Sequence, residues 1–553
     1  MNLYKKFVTE KFDEKGVLTD FKIHAPDNFN FGFDIVDEIA KGNPAKKALV
    51  WVNEEGKEHI FTFSDIMKRS NQTANYLKSL GIGKGDKVMC ILKRHYQFWF
   101  ISIALHKLGA VMVPATNQLT KKDLLYRFEM GDIKAIFCTY QGNIRDSVNE
   151  AVSEYTTDIL KISCNGEIDG WNNYDTEFVK FSEEFDRPEG EDGTKNDDIM
   201  LMYFTSGTSG YPKCATMDFD YPLGHIMTAK YWHNVEEDGV HFTFAETGWA
   251  KSVWGKLYGQ WICEAAVFVY DFTKFDPVDV LRMIEKYKIT TFCAPPTTYR
   301  FFIKSDISGF DLSSLVYATT AGEAVNPEVY NKFLEVTGLK LKEGFGQTET
   351  TLTLFNQKNM EVKPGSMGKV SPQYNVMLID DNDKQVKPGV IGEIALKLPE
   401  NEKQMGMFAG YYKDQERTNA VIYDGFYHTG DLAWYDEDGY FFYVSRKDDL
   451  IKSSGYRISP FEIESVLMEH AAVMECAVTG VPDDLRGMVV KATIVLTSDF
   501  TASEELKKEL QNYVKNVTAP YKYPRVIDFV KELPKTISGK IRRIEIRGEQ
   551  PKK

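Results

Sequence analysis

Apolar residues fall in two rhythms along this chain, and the change from one to the other is repeated. Residues 88–92 form a continuous apolar run of strand length. The stretch 95–108 that follows carries Phe98, Ile101, Ile103 and Leu105 on more than one helical face, which predicts a buried helix; residues 111–114 return as a strand. The same succession recurs at 280–287, where Leu281 and Ile284 stand one turn apart, followed by a strand at 290–293. Repeated strand, helix and strand predict an α/β fold whose large N-terminal region has several subdomains of layered, largely parallel sheets.

Roughly the last hundred residues change character. Ser459 and Glu462 are spaced as a capping box with Pro460 at the first helical position, and Ile463, Val466 and Leu467 continue one face. Strand runs at 473–481, 489–497 and 526–530 and a charged helix at 503–515 complete a small α+β unit. The charged run Ser445, Arg446, Lys447, Asp448, Asp449 marks the boundary, giving domains at 1–447 and 448–553. Residues 188–198, with five acidic side chains, read as an insert-like or disordered segment.

Composition narrows the class. At 553 residues the chain exceeds one ordinary core. A formal net charge of −13 argues against nucleic-acid binding while leaving room for local basic pockets. Seven cysteines without a C-x-x-C pair suit a reducing compartment. Residues 1–20 lack the apolar core of a signal peptide, and no stretch approaches the ~18 apolar residues of a membrane span. These features predict a cytoplasmic enzyme without a membrane span.

The clearest candidate chemistry follows the apolar run Met202, Tyr203, Phe204. Thr205, Ser206, Gly207, Thr208, Ser209, Gly210, Tyr211, Pro212 and Lys213 form a loop of hydroxyls and glycines closed by a lysine. Glycines let backbone N–H groups approach phosphate oxygens, hydroxyls add donors and lysine adds charge. The spacing is not that of a Walker A loop. Taken alone, such a loop also reads as a flexible surface linker.

With its companions the loop resembles the adenylate-forming superfamily of acyl-CoA synthetases, peptide-synthetase adenylation domains and luciferases. It departs from the family pattern at Cys214, where many members carry glycine. Gly322, Glu323 and Ala324 resemble the family's adenine-side turn. Glu343, Gly344, Phe345, Gly346, Gln347, Thr348 and Glu349 resemble its aromatic-Gly-Gln-Thr-Glu motif. The resemblance implies that Thr348 meets the α-phosphate and Glu349 helps hold Mg²⁺. It assigns the ribose hydroxyls to Asp431 and Arg446, the hinge between domains to Asp448, and the adenylation catalyst to Lys540 in the C-terminal Pro534–Lys540 motif. His428, tempting as a base, reads as a structural member of its turn.

The likeness is closest to medium-chain acyl-CoA synthetases, in which ATP and a carboxylic acid give acyl-AMP and pyrophosphate, and CoA then gives acyl-CoA and AMP. It implies a CoA face at Ser454, Gly455, Tyr456, Arg486, Lys515, Tyr523, Pro524 and Arg525. Acetate-specific relatives place tryptophan at the position of Gly346. Glycine there implies open space and an acid longer than acetate (medium-chain, branched or aromatic), with Lys251, Trp254, Cys293 and Arg457 as further acyl-site candidates. The alternative is a stand-alone adenylation enzyme that loads a carrier protein. Oligomeric state stays open between monomer and homodimer.

Overall fold

A computed structural model describes residues 2–205, 212–305, 307, 309–453, 456–483, 485–535 and 541–548. The expected rhythm is present. The strand Lys87–Ile91 leads into the helix Gln97–Leu108 and the strand Val111–Pro114. The helix starts two residues later than its periodicity suggests. His95 stays in the preceding turn, with its ring bonded to Asp271 Oδ2 (2.7 Å) and Thr139 Oγ1 (2.8 Å). Gln97–Leu108 is buried along its whole length and shares one core with Val88 and Cys90 of one sheet and Leu49 and Val267 of another.

Those two sheets dominate the N-terminal region. The eight-stranded sheet runs in the order Gly410–Tyr411, Lys213–Asp218, Ile199–Thr205, Val111–Pro114, Lys87–Ile91, Ile133–Thr139, Leu160–Cys164, Asn172–Asn173. Its central pairings are parallel, and the two at the Gly410–Tyr411 edge are antiparallel. The nine-stranded sheet is parallel through Lys47–Asn53, Ala266–Asp271, Val240–Thr243, Thr291–Ala294, Tyr317–Thr320 and Leu341–Gly346. The helix expected at 280–287 spans Pro277–Lys286. Asp276 caps Val278 N at 2.8 Å, and Pro277 occupies the first turn, where its missing N–H costs nothing.

A third sheet, wholly antiparallel, was not anticipated. It joins Asn375–Ile379, Gly392–Lys397, Phe426–Tyr435, Ile422–Tyr423 and Phe441–Arg446. Its pairing Asp431↔Arg446 sets two candidate site residues side by side.

From Ile451 onward the chain builds a separate core from Ile458, Ile463, Leu467, Val478, Ala492, Ile494, Leu510, Val514 and Ile527. The strands Val473–Asp483, Gly487–Leu496 and Val526–Phe529 carry the helices Pro460–Met468 and Glu504–Val517. This unit touches the large region where Asn326 Nδ2 donates to the Ser465 carbonyl (2.9 Å).

Two local expectations are corrected. The capping box is half made. Ser459 Oγ accepts from Glu462 N (3.2 Å), but Lys522 Nζ takes the Glu462 carboxylate at 2.6 and 2.8 Å, because a charged partner outcompetes a backbone amide. Residues 188–198 are not disordered. Lys84 Nζ binds the Gly193 carbonyl (2.6 Å) and Asp198 (2.9 Å), and Asn196 Oδ1 accepts from Phe29 N (2.8 Å). A single cation gathers the acidic segment that composition alone leaves unpartnered.

Candidate active site

The hairpin carrying the candidate phosphate loop is described up to both ends. Thr205 closes Ile199–Thr205, Lys213 opens Lys213–Asp218, and the antiparallel register pairs them directly. Met202 and Cys214 hold the hairpin in the core of the eight-stranded sheet, and burial pushes the Cys214 thiol up to about 12, leaving it inert. Ser206, Gly207, Thr208, Ser209, Gly210 and Tyr211 lie outside the described residues. The Pro212 carbonyl accepts from Tyr126 Oη (2.8 Å).

Lys213 Nζ stands 4.7 Å over the Tyr411 ring and 3.5 Å from its hydroxyl, which donates to Glu349 Oε1 (2.8 Å). Burial pulls the Lys213 ammonium below its usual value. Glu349 opposes that shift, while the Arg417 and Arg446 cations reinforce it. A lysine so placed has its charged form under-supported, and a phosphate anion is the partner that would restore it.

Asp431 and Arg446 form the second half of the cluster. Arg446 Nη1 donates to Asp431 Oδ2 (3.0 Å) and the Thr429 carbonyl (2.9 Å), and Tyr443 Oη donates to Asp431 Oδ1 (3.2 Å). Burial disfavours the guanidinium charge, yet Asp431 holds Arg446 above its ordinary range. Gln347 ties this pair to the motif beside Glu349. Its Nε2 donates to Asp431 Oδ2 (2.5 Å) and the Thr429 carbonyl (2.9 Å), and its Oε1 accepts from Tyr427 Oη (2.6 Å). Gly430 between them has φ +70, and a Cβ there would stand 2.9 Å from Arg446 Nη2. Thr348 is half-buried at the same turn. His428 stacks flat on Tyr423 (3.8 Å between centroids) and is packed as a structural member of the strand Phe426–Tyr435 rather than of a turn.

On the adenine-side turn, Gly322 takes φ +102 and is exposed with Glu323, and Ala324 is half-buried. Lys251 Nζ donates to the Ala321 carbonyl (2.8 Å), so the head of this lysine braces the turn. Glu343 is buried midway along Leu341–Gly346. Val325 N donates to it at 3.3 Å, and burial raises its carboxyl to about 8. A Cβ on Gly344 would stand 2.7 Å from Trp232 Cε2; Phe345 is half-buried.

The acyl-site candidates separate. Gly346 does not open a void. A Cβ there would overlap Trp254 Cη2 and the Thr351 carbonyl, so the indole, brought in by the helix Lys251–Gly255, already fills that space. Cys293 is buried on Thr291–Ala294 in the same core as Trp254. Arg457 lies apart from this group, with its Nη2 3.8 Å from Asp381 Oδ2.

The CoA candidates are partly gathered. Lys515 Nζ stands 4.1 Å over the Tyr523 ring, and the Arg525 guanidinium lies 4.8 Å from it with Nη1 donating to Tyr523 Oη (2.7 Å). Pro524 between them is buried. Tyr456 stacks on Tyr521 (4.1 Å), and Arg486 opens the strand turn at Gly487 with its amide on Asp483 Oδ1 (2.9 Å). Ser454 and Gly455 lie outside the described residues, as does Lys540. Asp448 is exposed on the turn after Phe441–Arg446, its carboxylate 4.0 Å from Arg446 Nε.

Residues 36–412 match the family described as AMP-binding enzyme, and residues 462–540 match the AMP-binding enzyme C-terminal domain. The chain belongs to the AMP-binding enzyme family. Among curated relatives, the mitochondrial acyl-coenzyme A synthetase ACSM3 of Rattus norvegicus is 39% identical over 99% of this chain and 95% of its own. The mitochondrial ACSM4 of Mus musculus is 41% identical over 95% of this chain and 91% of its own. Among solved structures, the anthranilate CoA ligase AuaEII in complex with anthranoyl-AMP has a TM-score of 0.85 at 27% identity, covering 95% of this chain and 98% of that one. The Brucella canis acyl-CoA synthetase has a TM-score of 0.71 at 29% identity, covering 95% of each chain. Within the family the chain is an AMP-forming acyl-CoA synthetase of the medium-chain type, an acid–thiol ligase. The expectation of a cytoplasmic enzyme is overturned, because these curated relatives, and ACSM5 of Homo sapiens with them, are mitochondrial. Among the described residues, no helix is long and apolar enough to cross a membrane.

Tyr411, Arg417 and Tyr443 of the synthetase carry no signal in the sequence reading. Tyr411 reaches Glu349 only because Gly410–Tyr411 pairs at the edge of Lys213–Asp218. Tyr427 stands four residues before Asp431, where a buried phenol needing an acceptor was the available signal.

Glu343 supports a test. With its folded value near 8 against an ordinary 4.5, the protonated carboxyl is the resident form at neutral pH. Stability is unaffected below the unfolded value and falls as pH rises from about 4.5 to about 8, because the unfolded chain releases a proton that the folded chain keeps. Glu343→Gln, which keeps a neutral group of the same size, is expected to flatten that decline by a few kcal/mol, order of magnitude. Urea denaturation at pH 5 and pH 8.5 checks this. Parallel pH dependence in both proteins would refute it.

Proposed function

We propose that this synthetase activates a medium-chain, branched or aromatic acid longer than acetate, using ATP with Mg²⁺, and passes the acyl group to free CoA. The observation that supports this reading is the convergence of Lys213, Glu349, Asp431 and Arg446, drawn from well-separated stretches of the chain, onto Tyr411, Gln347 and Tyr427.

In the first step the carboxylate oxygen attacks the α-phosphorus of ATP and pyrophosphate leaves. Positioning and charge compensation are the protein's main tasks in such a displacement. Lys213 and the loop before it take the triphosphate, Asp431 accepts from the ribose hydroxyls while Arg446 and Gln347 hold it still, and Thr348 meets the α-phosphate. The residues fit the cation. Tyr411 occupies Glu349 Oε1, which leaves Oε2 for an ion of the kind held by one or two carboxylates and phosphate oxygens. When bound, Mg²⁺ supplies positive charge against the triphosphate. In the second step the small domain turns at Asp448. It withdraws Lys540 and presents Ser454, Gly455 and Tyr456 to the pantetheine arm, with Lys515, Tyr523 and Arg525 for the CoA phosphates.

The acyl wall is Trp254, whose indole fills the space beside Gly346, and the likeness to the acyl-coenzyme A synthetases ACSM3 and ACSM4 is what supports an acid longer than acetate. The binding of anthranoyl-AMP by AuaEII supports an aromatic acid as well as an alkyl one. In a panel of acids with ATP and CoA, kcat/KM for pyrophosphate release is expected to rise by about ten-fold or more from acetate to acids of roughly C4–C10 or aromatic acids, as added buried methylenes contribute. An acetate optimum, or acylation of a holo-carrier protein in preference to CoA, would sink this reading.

A further inference from the structure

Beyond Trp254 the chain buries imidazole and amide groups that neither half-reaction uses. His225 lies on the helix Tyr221–Ile226, which continues into the π-helical turn Met227–Trp232, and His233 caps the end of that turn. Such turns are rare and concentrate at functional sites. Gly224 and Gly259 seat the segment. A Cβ on Gly224 would meet Gly406 Cα at 2.6 Å, and one on Gly259 would overlap the His225 carbonyl. The His225 ring lies 5.9 Å from Trp254 and 6.0 Å from Tyr258, and His233 is stacked between Trp232 (4.4 Å) and His241 (4.5 Å). Both histidines are at most 1% exposed.

Gln260 fixes the proton on His233. Its Nε2 faces the Trp254 carbonyl (3.3 Å) and His233 Nδ1 (2.9 Å). Turning the amide over would set two carbonyl oxygens against each other at Trp254, so the nitrogen donates to both. His233 Nδ1 is therefore an acceptor. Burial holds the ring neutral, and a neutral imidazole with an acceptor at Nδ1 carries its proton on Nε2. That donor has no acceptor among the described residues, and His225 Nε2 and Gln260 Oε1 are also unpaired. Each unpaired buried group costs about 1–3 kcal/mol, so a set of three beside an acyl wall is a structure awaiting a partner.

We propose that His225, His233 and Gln260 form a polar end to the acyl site, and that the acid activated here carries an oxygen substituent, hydroxyl or oxo, remote from its carboxylate. The inference rests on Trp254 being the acyl wall. A substituent oxygen accepts from His233 Nε2, whereas an unsubstituted chain leaves that donor unpaired. Sites built to hydrogen-bond a substrate oxygen discriminate strongly against analogues that lack it.

The test uses the full chain with ATP and CoA and reads pyrophosphate release on matched pairs: hexanoate with 6-hydroxyhexanoate, and benzoate with 3- and 4-hydroxybenzoate. At least one hydroxylated acid is expected to exceed its parent in kcat/KM by about ten-fold or more. His233→Phe, which keeps an aromatic ring between Trp232 and His241, is expected to collapse that ratio toward one, and His233→Gln, which keeps a donor, to retain more of it. Parents turned over as well as every hydroxylated partner would overturn the proposal, whether or not the variants fold. Equal losses for both members of a pair in His233→Phe would also overturn it. If no acid releases pyrophosphate, the acyl-activating reading itself fails, an outcome distinct from turnover without preference.

Discussion

Lys540→Ala is expected to lower acid-dependent ATP–pyrophosphate exchange by about 10²–10³-fold, while thioester formation from presynthesised acyl-AMP and CoA is retained. The lysine lies outside the described residues, but the base of its loop is in place. Lys535 bridges to Ile541, Arg542 N donates to the Pro534 carbonyl (2.8 Å), and Lys535 Nζ pairs with Glu475 (2.8 Å). A lysine's compact ammonium on a flexible stem can meet charge as it develops between carboxylate and α-phosphate. The thiol step breaks the bond between acyl carbon and AMP oxygen and needs no cation at that place. Equal loss in both half-reactions would remove Lys540 from its proposed role.

The second large effect is expected at Asp431. Asp431→Ala should raise KM for ATP by about 10–100-fold, the size of one or two lost charge-assisted hydrogen bonds, with a smaller change in kcat. The same substitution frees Arg446 and Gln347, both of which donate to Asp431 Oδ2, and is expected to lower stability by about 1–3 kcal/mol. That figure stays below the value for a fully buried pair because the Arg446 side chain is 36% exposed. Asp431→Asn, which keeps one acceptor oxygen, should recover part of the stability and less of the ATP affinity. Steady-state kinetics at saturating acid, together with thermal unfolding with and without ATP, read both effects. A variant that loses kcat with KM for ATP unchanged would show that Asp431 does not serve ribose binding.

Much of the site was legible because its chemistry is written in short, local groups. Gln347 and Glu349 stand in one motif, Asp431 follows Gly430 in another, and Arg446 ends the strand that pairs with it. The roles of these residues toward phosphate, ribose and a hard cation are what the family resemblance implies. The Lys251 head was not legible. Its spacing offers an aliphatic wall, yet the ammonium reaches the Ala321 carbonyl 70 residues away. Arg457 was expected near the substrate, and its salt bridge to Asp381 depends on how the small unit sits against the third sheet.

The sequence by itself determined the alternation of strand and helix, the two-part organisation and the motifs, because backbone period, burial and turn chemistry are properties of neighbouring residues. Tertiary structure alone decided that Tyr411 lies between Lys213 and Glu349, 198 and 62 residues from them. It alone placed Trp254 on Gly346, and it alone buried the Nε2 atoms of His225 and His233 without partners among the described residues. Each of these depends on which strand takes a sheet edge or which helix packs over a given turn. Those choices are made by the summed burial of many residues, and no local pattern records them.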